Sequence, residues 1–395
     1  MHNGNFSLPS FILRLSDELK KDHKLYLMGF SKAIWSYTRD EKKWVSLGHT
    51  RRKIPFILCT IVLLAKALNK QPLSAFGNLI YLLKNHLNRN SISQFNLLNA
   101  LLIIQPDVIH IQWASHLKLF RPLLDLQQNK RPKVIVSLRG RLVNVSPNTD
   151  PGIARLYKEY FPKVDGFHAV SRAIAEEAQR WGAAAEKIRV VYSGLDLQKI
   201  QAYQKRDWRL GHPHQILSVG RIHWLKGYHY ALDAIALLRQ KGISIQYTII
   251  APGDSTELLY QIKGLGLQEQ VKIIPGLPQE KVFAAMANAD LLLLPSVMEG
   301  IANVVLEAMA IGLPIVSSDC GGMAEVVEDG VNGLLFRNRD VNNMASQLEV
   351  MINLNPEQRK LMAQAAQRTI QQQHSLDRLG LEMSRLYESV LCASD

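Results

Sequence analysis

The segment 289–314, ADLLLLPSVMEGIANVVLEAMAIGLP, constrains the architecture more than any other part of the chain. Ala289 to Leu294 read as a strand: the continuous apolar run Leu291–Leu294, halted by Pro295, is the pattern of a strand covered on both faces, as strands of parallel sheets are. From about Asn303 the apolar positions Val304, Val305, Ala308, Met309 and Ile311 recur at helical spacing, and Gly312 followed by Pro314 is a helix stop. Ile216–Leu238 has the same plan: a strand over Ile216–Val219, a turn at Gly220, and an amphipathic helix after Gly227. Such alternation along the chain predicts an α/β fold. With 395 residues, 47% of them apolar, the chain can fill two cores. The polar stretch Tyr203–Pro213 places the boundary near 205/206.

This plan sets Glu299 in the loop after a strand and Glu307 about one turn inside the following helix. The start of that helix offers unpaired N–H groups and a positive dipole end, and Gly300 permits close approach to the backbone, so a phosphate suits it. An ionised carboxylate accepts from both hydroxyls of a vicinal diol, so one Glu could hold a ribose and the other a hexose. Standing alone, Glu307 reads as a solvated helix carboxylate. Arg221 and Lys226, at the carboxyl end of the other strand, read in isolation as surface cations. Placed together at the crevice edge of an open α/β sheet they suit a diphosphate, Arg as a fork and Lys as a point charge.

The GR….KG element at 220–227 and the Glu-x7-Glu element at 299–307 resemble the retaining GT-B glycosyltransferases of group 1 (family 4 type), which include bacterial capsule, exopolysaccharide and lipopolysaccharide enzymes. GFHAVSRAIAEEAQRWGAAAEKIRVVYSGLDL (166–197) and GGMAEVVEDGVNGLLF (321–336) extend the resemblance over most of the chain in the family's order. It implies two Rossmann-like domains facing each other across a cleft: 1–205 binding acceptor, 206–373 binding nucleotide sugar, and 374–395 carrying a last helix that crosses back to the first. It also implies that Arg221 and Lys226 bind the donor diphosphate and that Glu299 contacts the transferred sugar. Gly300, Ile301, Ala302 and Asn303 would meet the phosphates through backbone, and Glu307 the ribose. Retention in such enzymes is described as front-face attack, with the departing phosphate helping to take the acceptor's proton, unlike the two-carboxylate chemistry of retaining glycosidases.

The chain departs from the family's pattern in places. No clear strand precedes the Gly4 loop. Where many relatives carry His-Gly, VIVSLRGRL puts Arg139 before Gly140, and His110 in VIHIQW is a substitute imidazole or a structural residue. Gly4, His110 and Arg139 are therefore the candidate sugar or acceptor contacts. The loop IIAPGD (249–254) lacks the usual Gly-x-Gly form.

Charge is unevenly spread. Residues 1–205 hold 31 Lys plus Arg against 14 Asp plus Glu, and 206–395 hold 16 against 20. Between Lys42 and Pro106 stand nine basic residues and no acidic one, with Arg51, Arg52 and Lys53 directly before the apolar run IPFILCTIVLLA. That run is short of the roughly 20 residues needed to span a bilayer, so it reads either as an element lying on an anionic membrane surface or as core helices with solvated basic faces. No nucleic-acid module accompanies the basic charge, which argues against that partner. Cys59, Cys320 and Cys392 are too widely spaced for a disulfide framework or metal site, no Asp-x-Asp points to a divalent ion, and no signal-peptide pattern opens the sequence. The expectation is a cytoplasmic enzyme, peripheral on the inner face of the membrane, with no cofactor and no metal. It would transfer a hexose from a nucleotide diphosphate sugar to a glycan or lipid-linked acceptor in cell-surface polysaccharide or glycolipid synthesis. The alternatives are a soluble transferase acting on a small acceptor, and a protein that binds sugar nucleotide without turnover.

Overall fold

A computed structural model of the chain describes residues 9–31, 37–39, 42–49, 51–205 and 207–392. Gly4 and the stretch ahead of its loop lie outside these residues. The chain forms two compact units. One holds the described residues up to Val170 together with 175–191 and those from Leu379 onward; the other holds 171–174 and 192–378. The main division thus falls at Val191/Tyr192, ahead of the polar stretch that marks it in the sequence. The reason is packing: Leu195 and Ile200 are buried in a core of the second unit, and the Leu195 amide donates to the His374 carbonyl at 2.8 Å.

The first unit contains two sheets. A small one is built from β1 (Tyr26–Ser31), β2 (Tyr37–Arg39) and β3 (Lys42–His49), with β3 in the middle, parallel to β1 and antiparallel to β2. The other runs β4 (Val108–Ile111), β5 (Lys133–Leu138), β6 (Gly166–Ala169) and β7 (Ile188–Val190) in sequence order, all parallel. The C-terminal helix Leu376–Cys392 buries Leu379, Met383, Leu386 and Val390, one stripe at helical spacing. It lies over β6 at Gly166, where a Cβ would stand 2.6 Å from a Val390 methyl, so a larger residue would push the helix off the strand.

The second unit is one parallel sheet of six strands: β8 (His214–Val219), β9 (Ile245–Ile250), β10 (Val271–Ile274), β11 (Leu291–Leu294), β12 (Ile315–Asp319) and β13 (Leu334–Arg337), in the spatial order β10-β9-β8-β11-β12-β13. The chain winds outward from β8 in one direction, then returns to its other side at β11. This is the doubly wound arrangement, with its switch point between β8 and β11. The unbroken apolar run of β11 now has its cause. Leu291 and Leu293 enter a core with the helix Tyr228–Gln240, while Leu292 and Leu294 enter another with the helix Asn303–Ile311. Both helices begin and end as their sequences predict: Gly227 precedes the first, and Gly312 closes the second in the left-handed region at φ +85°.

Candidate active site

In open α/β sheets the loops at the carboxyl ends of the two strands flanking the switch point part to leave a crevice. Here those loops are 220–227, leaving β8, and 295–302, leaving β11. Arg221, Lys226, Glu299 and Gly300–Ala302 fall on them, and Asn303 and Glu307 on the helix that follows. The loops touch closely. The Val297 amide donates to the Leu225 carbonyl at 2.8 Å. Gly227, at φ +64°, lies so near Pro295 that a Cβ would stand 2.0 Å from the Pro295 carbonyl oxygen. The Tyr228 hydroxyl donates back to the Gly220 carbonyl at 3.1 Å and ties the two ends of the first loop together. Burial pushes that phenol's pKa up, with Tyr247 and the Glu299 charge adding to it, so Tyr228 remains a donor.

The structure brings two of the predicted residues into contact. Lys226 Nζ donates to Glu299 Oε1 at 2.6 Å, and Ser296 Oγ donates to the same oxygen at 2.8 Å. The Lys226 and Glu299 side chains are only 23% and 17% exposed, so the pair sits in a partly desolvated recess where its attraction outweighs that of an open surface pair. Glu299 Oε2 receives no hydrogen bond from the described residues and stays available to a hydroxyl donor. Arg221 stands exposed in the first loop, its guanidinium without a hydrogen-bond or ion-pair partner among the described residues. Glu307 accepts from Gln279 Nε2 at 2.9 Å, an orienting contact supplied by the first residue of the helix Gln279–Asn288. Ala302, the residue ahead of the helix Asn303–Ile311, offers no side-chain cap, so the helix presents its leading N–H groups as an anion site would.

A third loop, after β12, completes the arrangement. Gly321 at φ +56° passes so close that a Cβ would lie 1.9 Å from the Glu299 carbonyl oxygen, and the Gly322 amide donates to the Gly300 carbonyl at 2.8 Å. The loop after β9 approaches too. A Cβ on Gly253 would be 3.1 Å from Ile222 Cβ, and the Ile222 amide donates to the Pro252 carbonyl at 3.0 Å, so IIAPGD supports the Arg221 loop without a Gly-x-Gly. Beneath the loops, buried hydroxyls join the strand ends: Ser218 Oγ to the Leu293 carbonyl at 2.5 Å, Tyr247 to Ser218 at 2.9 Å, and Ser318 Oγ to the Ser296 carbonyl at 2.6 Å. Sequence reasoning passed over these serines. Their signal is a serine near the carboxyl end of a strand, just after its apolar residues. Cys320 is no nucleophile here, since burial, with a smaller contribution from Glu299, pushes its thiol up to about 12 against the Ser318 hydrogen bond.

In the first unit, His110 and Arg139 belong to one internal network. His168 Nε2 bonds the Val191 carbonyl at 3.0 Å, which fixes that nitrogen as the donor. Its Nδ1 then accepts from Ser137 Oγ at 2.8 Å, Ser137 accepts from His110 Nε2 at 2.9 Å, and His110 Nδ1 accepts from the Tyr387 hydroxyl at 2.8 Å. Both rings are neutral: burial lowers His168 to about 3 and His110 well below its usual range. Both ring nitrogens of His110 are thus engaged by protein groups, and the sequence alone had not placed this relay. Arg139 lies against the Phe11 ring, 4.4 Å from its centroid, and donates to Gln112 Oε1 at 3.2 Å; burial lowers its pKa to about 9. Among the described residues no group of three or more His, Cys, Asp or Glu is placed to hold a metal ion.

Two family descriptions match the chain in tandem: Glycosyltransferase Family 4 over residues 61–199 and Glycosyl transferases group 1 over residues 201–369. The amylovoran biosynthesis glycosyltransferase AmsK of Erwinia amylovora is 33% identical over 223 residues, 53% of this chain and 54% of AmsK, so the chain spans about half the length of that relative. HepE of Anabaena, solved in complex with UDP and glucose, is 22% identical and superposes with a TM-score of 0.61 over 72% of this chain and 78% of its own. The sucrose-phosphate synthase of Thermosynechococcus elongatus, 15% identical, superposes with a TM-score of 0.74 over 99% of this chain and 96% of its own. At these identities the two structures speak to fold alone: a GT-B chain of two Rossmann-like units.

Proposed function

We propose that this chain, which belongs to the group 1 glycosyl transferases, moves a hexose from a nucleoside diphosphate sugar to a glycan or lipid-linked acceptor with retention at the anomeric carbon. The observation that carries the reading is the Lys226–Glu299 pair at the switch point, a cation and a carboxylate on adjoining loops beside an uncapped helix start. In this reading Lys226 and Arg221 neutralise the diphosphate, the backbone of 300–303 receives its oxygens, Glu307 binds the ribose, and Glu299 Oε2 grips a sugar hydroxyl. The anomeric carbon–oxygen bond to the diphosphate breaks, and the acceptor oxygen bonds to the same carbon on the face the diphosphate leaves. The acceptor's proton passes to the departing phosphate. Arg221 and Lys226 stabilise the charge that grows on the leaving group, which is where such cations lower a barrier most. HepE, whose structure holds UDP and glucose, and AmsK, named as an amylovoran biosynthesis glycosyltransferase, support a sugar nucleotide donor and a biosynthetic transfer.

The test is a thermal-shift panel of nucleoside diphosphate sugars followed by transfer assays with lipid-linked and water-soluble acceptors. A donor at about 100 times its dissociation constant stabilises the fold by about 2.7 kcal/mol, enough to move the transition visibly. Glu299→Ala should abolish transfer. No shift with any donor, or full transfer by Glu299→Ala, would refute the assignment.

A further inference from the structure

The helix Lys53–Lys70 carries two apolar stripes. Phe56, Cys59, Leu63 and Ala67 are buried, while Ile54, Ile57, Leu58, Ile61 and Leu68 are exposed, Ile54 by 74% and Ile61 by 57%. The second set is offset from the first by two residues, about 200° around a helix that turns about 100° per residue, so it faces away from the core. The next helix, Pro72–Lys84, has the same construction: Ala75 and Leu82 are buried, and Leu73, Phe76, Ile80 and Leu83 are exposed at helical spacing, Leu73 by 87%. The two helices pack on each other and on the helix Arg89–Ile104, which makes them neighbours in one outer layer of the first unit. Isolated exposed apolar residues are ordinary on a protein surface. Here, though, half of the large apolar side chains exposed among the described residues fall between Ile54 and Leu87, a concentration that marks a contact surface.

The charge around this layer indicates the partner. Arg51, Arg52 and Lys53 head the first helix, Lys66 and Lys70 lie toward its end, Lys84 closes the second, and all are exposed. No carboxylate stands anywhere from Lys42 to Pro106. A second copy of this face would bring cations against cations, whereas a bilayer with anionic headgroups offers an apolar interior bordered by negative charge. Among the described residues no helix is long and apolar enough to cross a membrane. We propose that the pair Lys53–Lys70 and Pro72–Lys84 docks the first unit on an anionic phospholipid surface, its outward apolar stripes in the acyl boundary and its basic residues among the headgroups. The proposal deepens the lipid-linked acceptor reading above; its test reads membrane binding with no sugar present, so each can fail without the other.

The experiment is flotation of the full chain at low salt with phosphatidylcholine vesicles, with and without phosphatidylglycerol. The expected result is flotation with the anionic vesicles and little with the neutral ones. Ile57→Glu/Ile61→Glu should lower the partition at least about tenfold, the loss expected when two apolar side chains leave the acyl boundary. Leu73→Ser/Phe76→Ser should act in the same direction. Leu259→Ser/Tyr260→Ser, an equally exposed pair in the second unit, should float as the unmodified chain does, and all three should keep its melting temperature. Three results would overturn the proposal: protein that stays soluble with anionic vesicles, patch variants that float undiminished, or a vesicle-free dimer that Ile57→Glu/Ile61→Glu dissociates.

Discussion

Replacing Gly227 by alanine tests whether the two loops at the switch point are held as tightly as their geometry indicates. The added Cβ would lie 2.0 Å from the Pro295 carbonyl oxygen, whereas a carbon and an oxygen rest no closer than about 3.3 Å. The loops must therefore part by about 1 Å, since the obstruction is backbone and has no rotamer to change. Holding alanine at φ +64° costs about 1 kcal/mol by itself. Parting the loops sacrifices the Val297–Leu225 hydrogen bond, about 1 kcal/mol, and loosens the Lys226–Glu299 pair, about 1 kcal/mol more. The total of about 3 kcal/mol should lower the melting of a unit this size by roughly 6–12 °C. Gly330 supplies the control: its φ is +75°, but a Cβ there meets nothing within 4 Å. Gly330→Ala should carry only the conformational cost, roughly 2–4 °C. Scanning calorimetry of both variants, with and without nucleoside diphosphate sugar, reads the difference. Equal melting temperatures, or an undiminished donor-induced shift in Gly227→Ala, would show that the close approach at Pro295 does not position Lys226.

Three further outcomes are expected. Glu307→Ala should weaken nucleoside diphosphate binding by about tenfold or more, the worth of a charged hydrogen bond to a ribose hydroxyl, while leaving inorganic diphosphate unaffected in competition calorimetry; equal losses for both would place Glu307 elsewhere. Glu299→Gln should retain nucleoside diphosphate affinity within about threefold, because Lys226 loses only a competitor for the phosphate, yet lower kcat at least about a hundredfold. The buried histidines should make the first unit acid-sensitive. Because burial holds His168 at about 3, the folded chain refuses a proton that the unfolded chain accepts near 6.5. Stability is whole above that value and declines by about 1.4 kcal/mol per pH unit below it, or about 2 kcal/mol at about pH 5 from His168 alone. Denaturant titrations at about pH 7.5 and about pH 5 measure this, and a flat profile would remove the neutral relay.

The parts of the second unit that could be read in the sequence are those whose cause is local. A run such as LLLL between Asp290 and Pro295 has only a doubly covered strand to become, and Gly312 followed by Pro314 has only a helix end. What could not be read arises from sheet order. Lys226 and Glu299 are 73 residues apart and meet because β8 and β11 are neighbours across the switch point. Adjacency in the sheet, β8 beside β11 and β11 beside β12, likewise explains why Gly227 and Gly321 must lack side chains, since each faces a carbonyl from another loop, and why Ser218 and Ser318 are buried rather than turned to solvent. Gln279 belongs to this class: its amide reaches Glu307 from a different helix, and nothing in its own neighbourhood marks it.

The first unit shows the converse, a signal plain in the sequence whose meaning depended on which way side chains point. The apolar run after Arg52 was compatible with core helices bearing solvated basic faces. In that case Ile54, Ile57 and Ile61 should have been covered; instead the core takes only Phe56, Cys59, Leu63 and Ala67 from that helix. Such an arrangement spends apolar surface on solvent without a gain in stability, and the run of sequence from Lys42 to Pro106 with no carboxylate selects the kind of surface that would recover it. The His110 relay makes the complementary point. An imidazole in an apolar strand looks like a candidate ligand contact, but Ser137 and Tyr387, drawn in from β5 and the C-terminal helix, occupy both of its nitrogens. Variation at His110 should therefore act on the stability of the first unit and leave donor affinity in the second unchanged, a separation that thermal shift with and without nucleotide sugar resolves in His110→Gln.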